Sequence, residues 1–203
     1  SFASPMALVP QPGPLLVAID LHLMADKPDR LAVERHFSRP SLAVAVAENS
    51  DGTAVYATDF LTDPDGYVRI LVLDRGLGAE RAGALAQRLL ELETYRTLAL
   101  LGLPKAQELA PSINRIERRM AELTEELRSA SALADNSRML DELTALAAEL
   151  EAGAAGSLFR FGASRAYDEI VQTRLRIIGE RKVGGLPTWS SFLARRMAPA
   201  IRT

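Results

Sequence analysis

Apolar residues recur at every second position in four runs between Leu15 and Asp74 and at a period of 3.6 from Gly78 onward, so the chain divides into a sheet-forming and a helix-forming part. In "LLVAIDLHLMA", Leu15, Val17, Ile19, Leu21 and Leu23 alternate with Leu16, Ala18, Asp20, His22 and Met24, the period of a strand. "SLAVAVAE", "TAVYATDF" and "YVRILVLD" are three further strand-like runs, separated by Asn49-Ser50-Asp51-Gly52 and Asp63-Pro64-Asp65-Gly66. Glycine supplies a positive φ and aspartate or asparagine caps the turn, which predicts two successive hairpins. Pro28 in "KPDRLAVERHF", followed by Leu31, Ala32, Arg35 and His36 at helical spacing, predicts a short helix after the first strand. The first part reads β-α-β-β-β, a small, mostly antiparallel sheet that needs cover on at least one face. Before it, residues 1–14 carry Pro5, Pro10, Pro12, Gly13 and Pro14 and read as an extended lead-in.

In the helical part, Leu85, Leu89, Leu92, Ala99 and Leu103 form one stripe and Leu90, Leu98 and Leu101 another, which predicts a long covering helix packed on both sides. Pro104 interrupts it and Pro111 is expected in the first turn of a new helix. Ile113, Ile116, Met120, Leu123 and Leu127 have the three-four spacing of a coiled-coil seam, and Met139, Leu143, Leu146 and Leu150 continue it after Asp135-Asn136-Ser137, expected as a turn that also supplies helix caps. An antiparallel helical hairpin is the economical reading, with Glu117, Arg118, Arg119, Glu122, Glu125, Glu126 and Arg128 on its solvated faces. The spacing leaves open whether the seam closes within the hairpin or between chains. "AGAAGS" is expected to break the helix, a further helix to run from about Gly162 to Arg181, and Thr188 to cap a last one. The expectation is an α+β protein: lead-in 1–14, sheet domain with covering helix 15–110, and helical hairpin with further, membrane-proximal helices 111–203.

The chain has 26 acidic and 24 basic residues among 203, a formal charge of −2, which disfavours nucleic acid as a partner. It has no cysteine, excluding thiolate catalysis, cysteine-ligated metal and disulfides. No apolar run approaches the roughly 20 residues that cross a bilayer, and the first residues lack the pattern of a signal peptide. Neither GxGxxG nor a Walker sequence is present, and the glycines of "DRGLGAERAG" are a strand-to-helix loop.

Asp20 and His22 project to one face of the first strand, with Glu34 and His36 on the neighbouring helix, a conceivable carboxylate–imidazole metal cluster. Mutual satisfaction of Asp and His outweighs it, and no metal site is assigned. Asp63-Pro64-Asp65-Gly66 lacks the downstream bidentate Glu of a calcium loop and reads as a turn. The most chemically loaded stretch is "LLELETYRTLALLGLP", where Glu91, Glu93, Tyr95 and Arg96 sit amid leucines. Each has a complementary neighbour three or four residues away: Arg88 and Tyr95 for Glu91, Arg96 and Thr97 for Glu93. Pairing of this kind reads as a structural polar network fixing helix register, ahead of a catalytic carboxylate pair.

"ILVLDRGLGAERAGALAQRLLELETYRTLALLGLPKAQELAPSINRIE" and "GLPTWSSFLARRMAPAIRT" resemble bacterial membrane-anchored proteins of domain-of-unknown-function family 3422, over a range from roughly Ala32 to the end. The resemblance implies an internal soluble fragment of a longer protein with a further amino-terminal region and a carboxy-terminal pair of hydrophobic helices. It implies no catalytic residues and no cofactor. The resulting expectation is a non-catalytic, membrane-proximal scaffold or sensor at the bacterial inner membrane, its soluble part cytoplasmic. Its partners would be the membrane, through regions outside this chain, and further copies, through the helices; the identity of any small-molecule ligand stays open. The alternatives are the soluble region of a CorA-like divalent-cation transporter, with hairpin carboxylates holding the cation between subunits, and a hydrolase using an acid pair.

Overall fold

The computed structural model describes residues 10, 13–25, 33, 37, 45–129 and 133–201, of which 129, 133–135 and 198–201 are described in backbone only. The lead-in and the helix expected after the first strand fall outside these residues except at isolated positions.

The fold is α+β. Strands β1 (Ile19–Ala25), β2 (Ala45–Glu48), β3 (Ala54–Thr58), β4 (Val68–Asp74) and β5 (Arg181–Lys182) form one mixed sheet in the order β1-β4-β3-β2-β5. Both expected hairpins are present: β2 and β3 pair antiparallel with Ala45 opposite Thr58, and β3 and β4 with Ala54 opposite Asp74. In the first turn Asn49 Oδ1 accepts the Ala54 N–H at 2.9 Å and Gly52 takes φ +71°. In the second, Asp63 Oδ1 accepts from Asp65 N (3.0 Å) and Tyr67 N (2.9 Å), while Oδ2 takes Arg69 Nε at 3.1 Å. The Tyr67 N–H, with Arg69 and the Asp65 N–H, holds the Asp63 carboxyl below its usual range, as befits an Asx turn.

β1 runs parallel to β4, Ile19 beside Val68 and His22 beside Leu71. It therefore lies at the sheet edge next to the strand most distant from it in the meander. β5, on the opposite edge, pairs antiparallel with β2 through Ala47–Lys182 and Glu48–Arg181. Two residues carry no readable period, so this strand is absent from the sequence pattern.

Alternation gives the central strands two buried faces. Val46, Val55, Ala57, Leu71 and Leu73 make one core cluster with Val33 and Phe37, packed by Val183 and Leu186. Ala45, Ala47, Ala54, Tyr56, Thr58, Ile70 and Val72 occupy the other face and are also buried.

Helix α1 (Ala79–Leu100) starts beyond Asp74, whose Oδ1 accepts the N–H groups of Gly76 (2.7 Å) and Leu77 (2.6 Å). Leu85, Leu89, Leu92 and Ala99 are buried, but Leu90 on the second apolar face is exposed, so α1 is not packed on both sides.

Helix α2 (Leu103–Ser129) contains Pro111 in its interior, so no helix starts there. Pro104 already occupies the first turn, where its missing N–H is harmless, and Pro111, at a solvent-exposed position, removes only the bond to the carbonyl of Gln107. Helix α3 (Leu133–Ile178) runs unbroken through "AGAAGS". Its small residues are a packing surface: Ser157 is buried and bonds back to Gly153 O (2.8 Å) and Ala154 O (3.1 Å), and a Cβ on Gly102 would stand 2.5 Å from Ser164 Oγ. Close approach of this kind, with the backbone ladder intact, outweighs the low helix propensity of glycine.

α2 and α3 form the expected antiparallel hairpin, but Asp135-Asn136-Ser137, expected as its turn, lie within the first turns of α3, which begins at Leu133. Ile116, Leu123, Met139 and Leu146 are the hairpin's buried seam, while Met120 and Leu127, expected in the same seam, are 47% and 56% exposed. The last helix, α4 (Trp189–Ile201), is capped by Thr188, whose Oγ1 accepts the Ser191 N–H at 3.2 Å. The chain forms two compact units, residues 1–98 with 169–196, and residues 99–168 with 197–203.

Candidate functional site

In the first unit, the charged residues of α1 are divided between its interior and its surface. Glu93 is fully buried. Arg96 grips it with two bonds, Nε to Oε2 at 2.7 Å and Nη2 to Oε1 at 2.5 Å, and Thr97 Oγ1 approaches Oε1 at 3.4 Å. Burial pushes the Glu93 carboxyl above its usual range, against the pull of the Arg96 and Thr97 hydrogen bonds and the Arg96 charge.

The arginine is itself held by an aromatic surface. Its guanidinium carbon lies 5.2 Å from the centroid of Phe60, within reach of a cation–π contact. Phe60 follows β3 at φ +56°, the one positive value among the described non-glycine residues. The left-handed region costs a side-chain-bearing residue about 1–2 kcal/mol. Neighbouring bonds impose it: Thr58 Oγ1 donates to Arg69 O at 2.8 Å and accepts the Phe60 N–H at 3.1 Å. The ring is thereby directed into a cluster, stacked on Phe192 at 5.1 Å and 24° and edge-on to Trp189 at 5.1 Å and 70°. Trp189 meets Tyr56 of β3 edge-on at 5.2 Å, and Arg196 lies over Phe192 at 5.5 Å.

Glu180 fastens the far side of the cluster. Its Oε1 accepts from Trp189 N (3.1 Å) and from Tyr56 Oη (3.3 Å), and its Oε2 accepts from Ser190 N (2.9 Å) and the Ser190 hydroxyl. A carboxylate on the first turn of α4 meets the positive end of the helix dipole. Burial first, and the Glu180 charge second, push the Tyr56 hydroxyl far up, so it remains a neutral donor. The indole N–H of fully buried Trp189 has no hydrogen-bond partner among the described residues.

The four residues singled out in the sequence are thus not one cluster. Glu93 and Arg96 turn inward. Glu91 accepts from Gln87 Nε2 at 3.0 Å, and its Oε2 lies 2.7 Å from Arg174 Nε of α3, a partner invisible to helical spacing. Glu91 and Tyr95 line a shallow surface depression of about 480 Å³ with Gly83, Leu90 and Thr94. A second cleft, about 510 Å³, is lined by Asn49, Asp51, Arg81 and Arg88, and a third, about 480 Å³, by Asp59, Thr62, Asp63 and Arg69. Neither Glu93 nor Arg96 lines any of the three. Asp20 and His22 pair with each other, Nε2 to Oδ2 at 2.9 Å; Glu34 and His36 lie outside the described residues. In the second unit, the hairpin acids also have partners, Glu126 on Arg138 and Glu142 on Arg119, both at 2.8 Å.

Phe60, Glu180, Trp189 and Phe192 carry no chemical motif, and the sequence reading did not single them out. Their signal was the clustering of the lone tryptophan and a phenylalanine in "TWSSF". That stretch and "ETYRT", which together carry the resemblance, meet here on the Phe60 ring. A family model matches residues 2–203, further toward the amino terminus than the resemblance itself reached, and it describes proteins of unknown function. The chain belongs to the DUF3422 family. No curated protein and no solved structure matches it. In this DUF3422 member the junction can lock a helix, a strand end and a helix start together. Chemically, Glu93 has both oxygens engaged and Arg96 is spent on Glu93 and Phe60, an arrangement suited to fixing position.

Proposed function

We propose that this DUF3422 chain is a non-catalytic scaffold or sensor module working beside the membrane in a larger, membrane-anchored protein. The observation that supports this reading is the use of the titratable groups of α1: Glu93 and Arg96 neutralise one another and clamp Phe60, and Glu91 is held by Gln87 and Arg174. Such pairing specifies register, as a module that transmits or holds position requires. A general acid or base needs reach to a substrate atom, and Glu93 has none. The membrane attachment follows the resemblance of the two signature stretches to anchored proteins. No helix among the described residues is long and apolar enough to cross a bilayer, so this reading puts the anchor outside these 203 residues. It puts the soluble part on the cytoplasmic side of a bacterial inner membrane.

The test is expression of the whole gene product in a bacterium, with fractionation, alkaline carbonate extraction and protease treatment of spheroplasts. Carbonate-resistant membrane association with this region protected from external protease is the expected result. Recovery in the soluble fraction overturns membrane attachment. Hydrolytic turnover that Glu93→Gln abolishes without lowering the melting temperature overturns the non-catalytic part.

A further inference from the structure

Of the nine apolar residues in the expected seam of the α2–α3 hairpin, four are packed inside it. Ile116, Leu123, Met139 and Leu146 are buried between the helices. The intervening Met120 (47%), Leu127 (56%), Leu143 (37%) and Leu150 (47%) are exposed, as is Leu140 (65%). In a two-stranded coiled coil both sets would meet the partner helix. Here the helices are rotated so that one set forms the inner seam and the other opens onto a groove beside it.

The two sides of the hairpin differ in chemistry. At 100° per residue, Arg115, Arg119 and Glu126 fall on one side of the Ile116–Leu123 line, and Met120 and Leu127 on the other. The first side holds the interhelical ion pairs Arg115–Glu149, Arg119–Glu142 and Arg138–Glu126. Those pairs set the antiparallel register, which brings Met120 level with Leu143 and Ile113 with Leu150, and leaves Leu127 about one turn from Leu140. The second side is therefore an apolar groove built of three layers.

We propose that this groove is the surface through which two copies of the chain associate, hairpin on hairpin, as a four-helix bundle. The groove is self-complementary along α2: a two-fold axis through Met120–Leu143 exchanges Ile113 with Leu127, seven residues to either side, as an isologous interface requires, and sets Leu143 of α3 against its own copy. The area fits a weak, concentration-dependent association. From Ile113 to Leu127, the span of the three layers, α2 extends about 21 Å. Two helices side by side present a width of about 20 Å, so a pair of copies buries about 840 Å², the size of a transient interface. Charge excludes the rival occupant, an anionic lipid surface: residues 112–151 carry nine carboxylates against five guanidiniums, and interfacial helices are basic. The inference is independent of the scaffold reading and survives its failure.

The test is sedimentation velocity of the whole chain from about 1 to about 200 μM, a range chosen for an interface at the low end of specific sizes. Wild type is expected to pass from monomer to dimer, and Leu143→Glu to stay monomeric with an unchanged circular-dichroism melt. Because the chain has no cysteine, Met120→Cys and Leu143→Cys supply a second readout that keeps the groove apolar. On oxidation at least one is expected to give a covalent dimer, whereas Glu122→Cys, on the far side, gives none. A wild type that stays monomeric throughout, a dimer that Leu143→Glu leaves intact, or cross-linking only through Glu122→Cys overturns the proposal. So does Leu143-dependent binding to vesicles of phosphatidylglycerol and phosphatidylethanolamine by a chain that remains monomeric in solution.

Discussion

Replacing Arg96 by methionine keeps the stem that packs near Phe60 but removes both hydrogen bonds that Glu93 receives from it. Glu93 is completely buried, so at neutral pH the variant confines a carboxylate with the Thr97 hydroxyl as its remaining partner among the described residues. Breaking a buried pair in this way costs about 3–5 kcal/mol. The pH dependence has a definite sign. Burial already raises the folded-state pKa of Glu93, so the folded protein binds this proton more tightly than the unfolded chain does. The stability associated with that proton is fully present below the unfolded value of about 4.3 and is lost as the pH rises through the folded value. Loss of Arg96 removes the hydrogen bonds and the charge that pull the pKa down, which moves the folded value higher and widens that window. The deficit of Arg96→Met relative to wild type is therefore expected to grow from acid to neutral pH by at most about 1.4 kcal/mol per unit. Below about pH 4.3 it shrinks to the lost cation–π contact, about 0.5–2 kcal/mol. Urea unfolding between pH 4 and 8 measures it, with fluorescence of the single, fully buried Trp189 as the signal. Adding Glu93→Gln is expected to restore most of the neutral-pH loss. A deficit that is flat across the range, or that Glu93→Gln fails to reduce, refutes the argument.

Two other perturbations separate conformational from packing effects. At Phe60, glycine is expected to be better tolerated than alanine by about 1 kcal/mol, because φ +56° is strained for any side chain; equal stability by urea unfolding would deny that strain. Gly102→Ala, whose Cβ would meet Ser164 Oγ at 2.5 Å, is expected to cost about 1–3 kcal/mol, whereas Gly156→Ala, with open space around it, gains about 0.5–1 kcal/mol. Thermal melts of the two variants shifting in the same direction would contradict this.

Features governed by near neighbours were readable in the sequence. The alternation in "YVRILVLD" and the turn residues Asn49–Gly52 and Asp63–Gly66 defined the hairpins, because strand period and turn geometry are local. The Glu93–Arg96 pair was readable for the same reason, since residues three apart on a helix face one another. What depended on distant partners was not. Pro111 and the glycines of "AGAAGS" looked like breaks because their intrinsic cost is visible, while the Gly102–Ser164 approach in the same unit is not. Glu91 was assigned Arg88 and Tyr95, yet Arg174, 83 positions away, lies against it. The Phe60 cluster joins residues from three separated stretches, and nothing in "TDFLT" announces a left-handed phenylalanine. The seam of the hairpin had the right spacing, but spacing does not encode helix rotation, so Met120 and Leu127 could not be told from Ile116 and Leu123.

The closure of the sheet's second face by carboxy-terminal residues has a consequence for biosynthesis. During translation β2, β3 and β4 emerge together and can zip by short turns as soon as they clear the ribosome. The aromatic contacts of Tyr56 and Phe60 and the bond of the Tyr56 hydroxyl must then wait for Glu180, Trp189 and Phe192, more than a hundred codons later. The β2 edge waits equally long for Arg181 and Lys182. A nascent chain halted within α3 therefore displays an open strand edge and an uncovered aromatic surface, the features that recruit holding chaperones.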